Sequence, residues 1–121
     1  MKNSKNPLHE RLLSFAAAVI KLTDKLGATP SSKHIANQLM RSATSAGANY
    51  EEACNAESKS DFVQKIQISL KESQETLYWL KLLQKADMIP DSGQKFDNLL
   101  SEAGEINKIL AKSVITAKGS K

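Results

Sequence analysis

The stretch MRSATSAGANYEEACNAESKSDFVQKIQISLKESQETLYWLKLL, Met40 to Leu83, decides the fold. Its first half crowds small side chains together: Ser42, Ala43, Thr44, Ser45, Ala46, Gly47 and Ala48. Its second half spaces large apolar residues three and four apart among charges, the pattern of a helix. Ser58-Lys59-Ser60 separates the halves with residues that favour caps and turns. The reading is the tail of one long helix, a tight break, and most of a second helix. Small side chains let a neighbouring backbone come close. Gly47 costs about 1 kcal/mol of helix propensity against Ala, and close packing is the expected compensation.

Working outward, Pro7, Pro30 and Pro90 all fall at segment starts. Proline suits the first turn of a helix and disrupts its interior. The chain between the prolines is nearly free of breakers, so it divides into four helices near 7–26, 31–57, 60–87 and 91–118. The first carries Leu8, Leu12, Phe15, Val19, Leu22 and Leu26 on one stripe, widened by Leu13, Ala16 and Ile20, and Gly27 ends it. The second opens with Ser31 or Ser32 as cap and turns Ile35, Leu39, Ser42, Ala43, Ala46, Tyr50 and Ala53 inward. The third takes Ser60 as cap and Asp61 in its first turn, with Phe62, Ile66, Leu70, Ser73, Leu77 and Leu80 as core stripe. The fourth buries Phe96, Leu99, Leu100, Ala103, Ile106, Leu110 and Val114. No segment alternates with period two, so no strand is expected. Short connections between four helices imply an all-α, antiparallel up-down-up-down four-helix bundle. A single bundle domain over 7–118 is expected, with disordered tails at 1–6 and 119–121.

Composition agrees. At 121 residues, 40% hydrophobic and 25% charged, the chain has the size and balance of one globular domain. A single cysteine, Cys54, excludes an internal disulfide and fits a reducing compartment; it reads as a small semi-buried residue on a helix. No secretory signal is visible, and no apolar run approaches the ~20 residues of a membrane helix. A cytoplasmic location and no membrane contact are therefore expected. The net charge of +4 is uneven. Residues 1–41 hold seven basic and two acidic side chains, whereas 42–89 hold five and seven. The excess lies at the N-terminal side and permits contact with polyanions.

Catalytic chemistry has no signature here. His9 and His34 do not follow a Glu by three, and His-x-x-x-His, Cys-x-x-Cys, nucleophile-elbow and phosphate-loop patterns are absent. No metal, no cofactor and no enzyme activity are expected, and both histidines read as surface or boundary residues. The third helix carries a second face of Lys65, Ile68, Glu72, Glu75, Trp79 and Leu82, about 100° wide on an ideal helix. Its large residues Ile68, Trp79 and Leu82 read as a subunit contact, against the plainer reading of a solvated face. Arg41, Ser45, Asn49 and Glu52 form a polar edge on the second helix. Together Arg41, Asn49, Glu52, Lys65, Glu72 and Glu75 are expected to make structural polar contacts between helices or subunits. Tyr78-Trp79 has the chemistry to stack on bases, but packed interface aromatics are the commoner outcome. Lys2, Lys5, Arg11, Lys21, Lys25 and Lys33 make a candidate nucleic-acid patch, and a solvated face that aids solubility is the competing reading.

One resemblance rests on these residues. The run Arg41-Ser-Ala-Thr-Ser-Ala-Gly-Ala-Asn49-Tyr-Glu51-Glu52-Ala53, then Ser60-Asp61-Phe62, then Lys71-Glu72-Ser-Gln-Glu75-Thr76-Leu-Tyr78-Trp79-Leu80 resembles the four-helix-bundle proteins encoded in bacterial 23S rRNA intervening sequences. The match is detailed over the second and third helices and holds by pattern over the others. It implies a bacterial protein, a four-helix bundle, a homopentamer and no established enzyme activity. More distantly the chain is similar to the accessory protein of diversity-generating retroelements, a basic pentamer that binds nucleic acid and a reverse transcriptase. Two function classes stay open. One is a homo-oligomeric accessory scaffold that binds rRNA, other nucleic acid or a nucleic-acid enzyme. The other is a small-ligand-binding or cryptic enzymatic bundle.

Overall fold

Each of the four apolar stripes becomes a helix in the computed structural model, which describes residues 7–90 and 93–119. They are α1 (Pro7–Thr23), α2 (Pro30–Cys54), α3 (Lys59–Lys85) and α4 (Gln94–Gly119), with no strand among the described residues. Each helix packs on the next, and α4 returns to α1, which makes the antiparallel up-down-up-down bundle. The α2/α3 seam is the most extensive and the α1/α4 seam the least. None of the helices is long and apolar enough to cross a membrane. The expected tail at 1–6, with Lys2 and Lys5, lies outside the described residues, as do residues 120 and 121; Gly119, expected in a tail, is the last residue of α4.

The helix ends differ from the sequence reading, each for a local reason. Thr29, not Ser31 or Ser32, caps α2: its hydroxyl accepts from the Ser32 amide at 3.1 Å. Pro30 at N1 has no amide to satisfy, so the residue before it takes the capping role. Ser58, not Ser60, caps α3 and accepts from the Asp61 amide at 3.1 Å. α1 stops at Thr23 rather than Leu26. There the amides of Lys25 and Leu26 bond only three residues back, tightening the turn, and Gly27 follows at φ +90°. α2 ends at Cys54, where the Asn55 and Ala56 amides close the turn three residues back. α3 ends at Lys85 in a Schellman motif, with Met88 N–H on the Leu83 carbonyl at 2.9 Å and Asp87 N–H on Gln84 at 3.2 Å. The left-handed position of that motif is occupied by Asp87, at φ +56°. α4 begins at Gln94, later than the expected residue 91.

The core runs through Leu12, Val19, Leu39, Ile66, Leu80, Leu83, Ile106 and Leu110, all nearly inaccessible. α3 buries a different stripe from the one its large residues suggest. Ile66, Ser73 and Leu80 are buried as expected, but Phe62, Leu70 and Leu77 are half-buried, while Ser69, Thr76 and Leu83 are buried instead. The cause is packing on two sides, against α2 and against α4. Hydroxyls become tolerable on the α2 side because each finds a partner. Ser69 Oγ donates to the Ala46 carbonyl across the seam at 2.7 Å. Thr76 Oγ1 lies 2.8 Å from Ser42 Oγ, and the Ser42 hydroxyl donates to its own helix at Leu39 O, 3.2 Å away. No buried side-chain polar atom is left unpaired among the described residues.

Gly47 does not carry the close approach expected of it. A Cβ built there would stand 3.7 Å from Leu12 Cβ, an ordinary van der Waals separation. The tight packing of the seam comes from Ser42, Ala43, Ala46 and Ala53. Cys54, expected to be semi-buried, is exposed at the end of α2.

Candidate functional site

Two surfaces collect the polar residues singled out from the sequence. The first is the outer edge of the α2/α3 seam. There Arg41 on α2 bridges two acids one turn apart on α3, Glu72 at 2.9 Å and Glu75. Its Nε also donates to Gln38 Oε1 at 3.2 Å, and Trp79 Nε1 donates to Glu75 Oε2 at 2.9 Å. One helix turn separates Glu72 from Glu75 and Glu75 from Trp79, so one guanidinium and one indole converge on a single carboxylate pair. Hydrogen bonds from Arg41 and then Trp79 hold the Glu75 carboxyl below the usual carboxylate range, and the Glu75 and Glu72 contacts hold Arg41 charged. Further along the seam Lys65 meets Glu52 at 2.7 Å, and that hydrogen bond raises the Lys65 ammonium pKa. Asn49 does not join the cluster: its amide turns back on Ser45 of its own helix, at 2.9 Å and 3.1 Å.

This arrangement is poor material for proton transfer near neutral pH. A general acid or base works best with a pKa near the operating pH. Glu75 is displaced away from that range. Among the described residues no three His, Cys, Asp or Glu side chains gather as a group able to hold a metal ion.

Trp79 and Leu82 are half-buried and pack against the core rather than standing on a separate outer face. Trp79 also meets the His34 ring edge-on at 5.9 Å and the Tyr78 ring at 5.1 Å. Ile68 is half-buried. Among the described residues the exposed large apolar side chains are Ile115 of α4 at 71%, Tyr78 beside Trp79 at 57%, and Leu13 at 59%, Ile20 at 40% and Met40 at 36% on α1 and α2. His9 on α1 pairs with Glu51 on α2 at 2.7 Å. Leu13 and Ile20 lie within about 40° of His9 on the α1 wheel, and Met40 within about 20° of Glu51 on α2. The same antiparallel register sets Ile20 opposite Met40, so these residues form one apolar α1/α2 edge. The sequence reading missed it because Leu13 and Ile20 extend the core stripe of α1 on paper.

The second surface is one end of the bundle. Antiparallel order brings together the C-termini of α1 and α3 and the N-termini of α2 and α4. Exposed Lys21, Lys25 and Lys33 therefore share an end with exposed Lys85 and Lys95. Asp24, Asp87 and Asp97 lie there too, leaving lysines in excess among the described residues of that end. Lys95 escaped the sequence reading because more than sixty residues of chain separate it from Lys33; only topology assembles the group. Arg11, read as a member of the basic patch, is engaged elsewhere. Its Nε and NH2 form a fork on Glu102 of α4, at 2.9 Å and 2.6 Å, which raises its pKa further.

Comparison with known proteins follows the geometry. The sequence model of the 23S rRNA-intervening sequence protein matches residues 5–112. A solved crystal structure, of a protein of unknown function from the S23 ribosomal protein family of Bacteroides thetaiotaomicron VPI-5482, is similar over 88% of this chain and 97% of its own. The two are 34% identical, with a TM-score of 0.79. No curated protein matches the chain.

Proposed function

The chain belongs to the 23S rRNA-intervening sequence protein family, and from that premise we propose that it is a cytoplasmic, non-catalytic, self-associating scaffold that binds RNA or DNA. The observation that carries the reading is the lysine-rich end, where Lys21, Lys33, Lys85 and Lys95 come one from each helix and Lys25 from the turn after α1. Lysines held on rigid helix ends engage phosphates with little dependence on sequence. Lys21 and Lys85 also complement helix C-terminal dipoles, a structural role that does not prevent phosphate contact.

Self-association multiplies this surface. A ring of identical subunits, pentameric by the family resemblance, presents several such ends to one polyanion and raises avidity without new contacts. The apolar edge of Leu13, Ile20 and Met40 supports the contact between copies. Binding of a labelled 23S rRNA fragment and of duplex DNA at low salt tests the proposal. Retention of both, lost on adding salt, is expected. No retention of either at low salt overturns it and leaves a protein-only partner as the better reading.

A further inference from the structure

A trench opens where α1 and α4 pack least closely. It encloses about 700 Å³, within the ~300–1,000 Å³ range of small-molecule sites, and clefts between bundle helices are common places for them. Phe15, Ala18 and Leu22 of α1 face Phe96 and Leu99 of α4 along its floor. From Arg11 to Leu22 the trench follows α1 for about 17 Å at 1.5 Å per residue. The Arg11–Glu102 fork stands at one end, its charges already matched. Lys21, Lys25 and Lys95 stand on the rim toward the lysine-rich end, with Asp24 the one further acid in the lining.

We propose that this trench binds a medium-chain carboxylic acid, with its carboxylate on Lys21 and Lys95 and its hydrocarbon chain over Ala18, Leu22 and Leu99. The floor calls for an apolar body, because it gives a polar ligand few partners for hydrogen bonding. The rim calls for an anion. Lys21 and Lys95 make no ion pair among the described residues. A cationic amphiphile meets like charge there, and a neutral one leaves both lysines unused. A nucleic-acid phosphate engages the same lysines but not the apolar floor, so the two ligands are separable by variants.

Calorimetric titration of the full-length protein tests the site with three probes of equal chain length: decanoate, 1-decanol and decyltrimethylammonium. Decanoate should bind saturably, one per chain, at least tenfold more tightly than either of the others. Lys21→Gln with Lys95→Gln should weaken decanoate at least tenfold and leave 1-decanol unchanged. Ala18→Trp fills the floor while keeping every lysine, so it should abolish decanoate binding yet retain RNA at the wild-type level, with circular dichroism confirming the fold. Absence of saturable decanoate binding, equal affinity for the three probes, or unchanged decanoate affinity in both variants overturns the inference.

Discussion

Three residues hold conformations or charges that single substitutions can expose. Asp87 occupies the left-handed position of the α3 Schellman motif, where glycine carries no Cβ penalty. It also places a negative charge at a helix C-terminus, the unfavourable end. Asp87→Gly should therefore stabilise the fold by about 1 kcal/mol, read as a higher midpoint in thermal or urea unfolding; a lower midpoint contradicts the motif. Gly47→Ala should also stabilise, by about 0.5–1 kcal/mol, since the added methyl meets only ordinary contact with Leu12. Glu75 bears on pH. Its folded pKa is depressed by Arg41 and Trp79, so its contribution is present above the usual carboxylate range and is lost as pH falls through the folded value. Glu75→Gln should flatten the acid limb of the stability curve without moving its neutral-to-alkaline part. At this scale the sequence was ambiguous where it offered neighbouring candidates. Thr29, Ser31 and Ser32 are all competent caps, and Pro30 decides among them only once its N1 position is recognised.

The α2/α3 pair shows what hydropathy reads well and what it hides. The inward stripe of α2 was legible, because Ile35, Leu39, Ala43, Ala46 and Ala53 are apolar and helically spaced. Ser69 and Thr76 were not, because the large residues Phe62, Leu70 and Leu77 drew the expected stripe of α3 to one side of the one it buries. Their burial depends on backbone and side-chain acceptors supplied by a helix more than twenty residues away. Arg41, Glu72 and Glu75 were legible as a polar group, but Asn49 was wrongly included since its amide had a nearer acceptor in Ser45. Thr76→Val keeps the shape and removes the hydroxyl, and should cost about 1 kcal/mol. Ser69→Leu overfills the seam and should cost at least about 1–3 kcal/mol. Urea unfolding separates the two; equal small costs would mean that α2 and α3 are not tightly packed.

Over the whole molecule, proline placement and four stripes were enough to read the architecture, whereas the surfaces needed the fold. The lysine-rich end is built from four separate chain segments, and the apolar α1/α2 edge from residues that belong to a core stripe on paper. Trp79 and Leu82 now contribute to the core, so truncating them should lower stability as well as any assembly. Ile20→Lys with Met40→Lys is the cleaner probe of self-association, because both side chains are exposed. Light scattering should show an oligomer for the wild-type chain at micromolar concentration and a smaller species for this double variant, with helicity kept. A wild-type monomer contradicts the self-association half of the proposal.

The binding half is tested most directly by the salt dependence of RNA affinity. For the wild-type protein, log affinity should fall linearly with log salt, with a slope of about 0.7 per single-strand phosphate neutralised and about 0.9 for duplex. Replacing Lys21, Lys25, Lys33 and Lys95 together with Gln should weaken binding at low salt and flatten that slope, while the melting curve shows the bundle intact. A wild-type affinity insensitive to salt, or a slope unchanged by the four substitutions, would contradict phosphate recognition by the lysine-rich end.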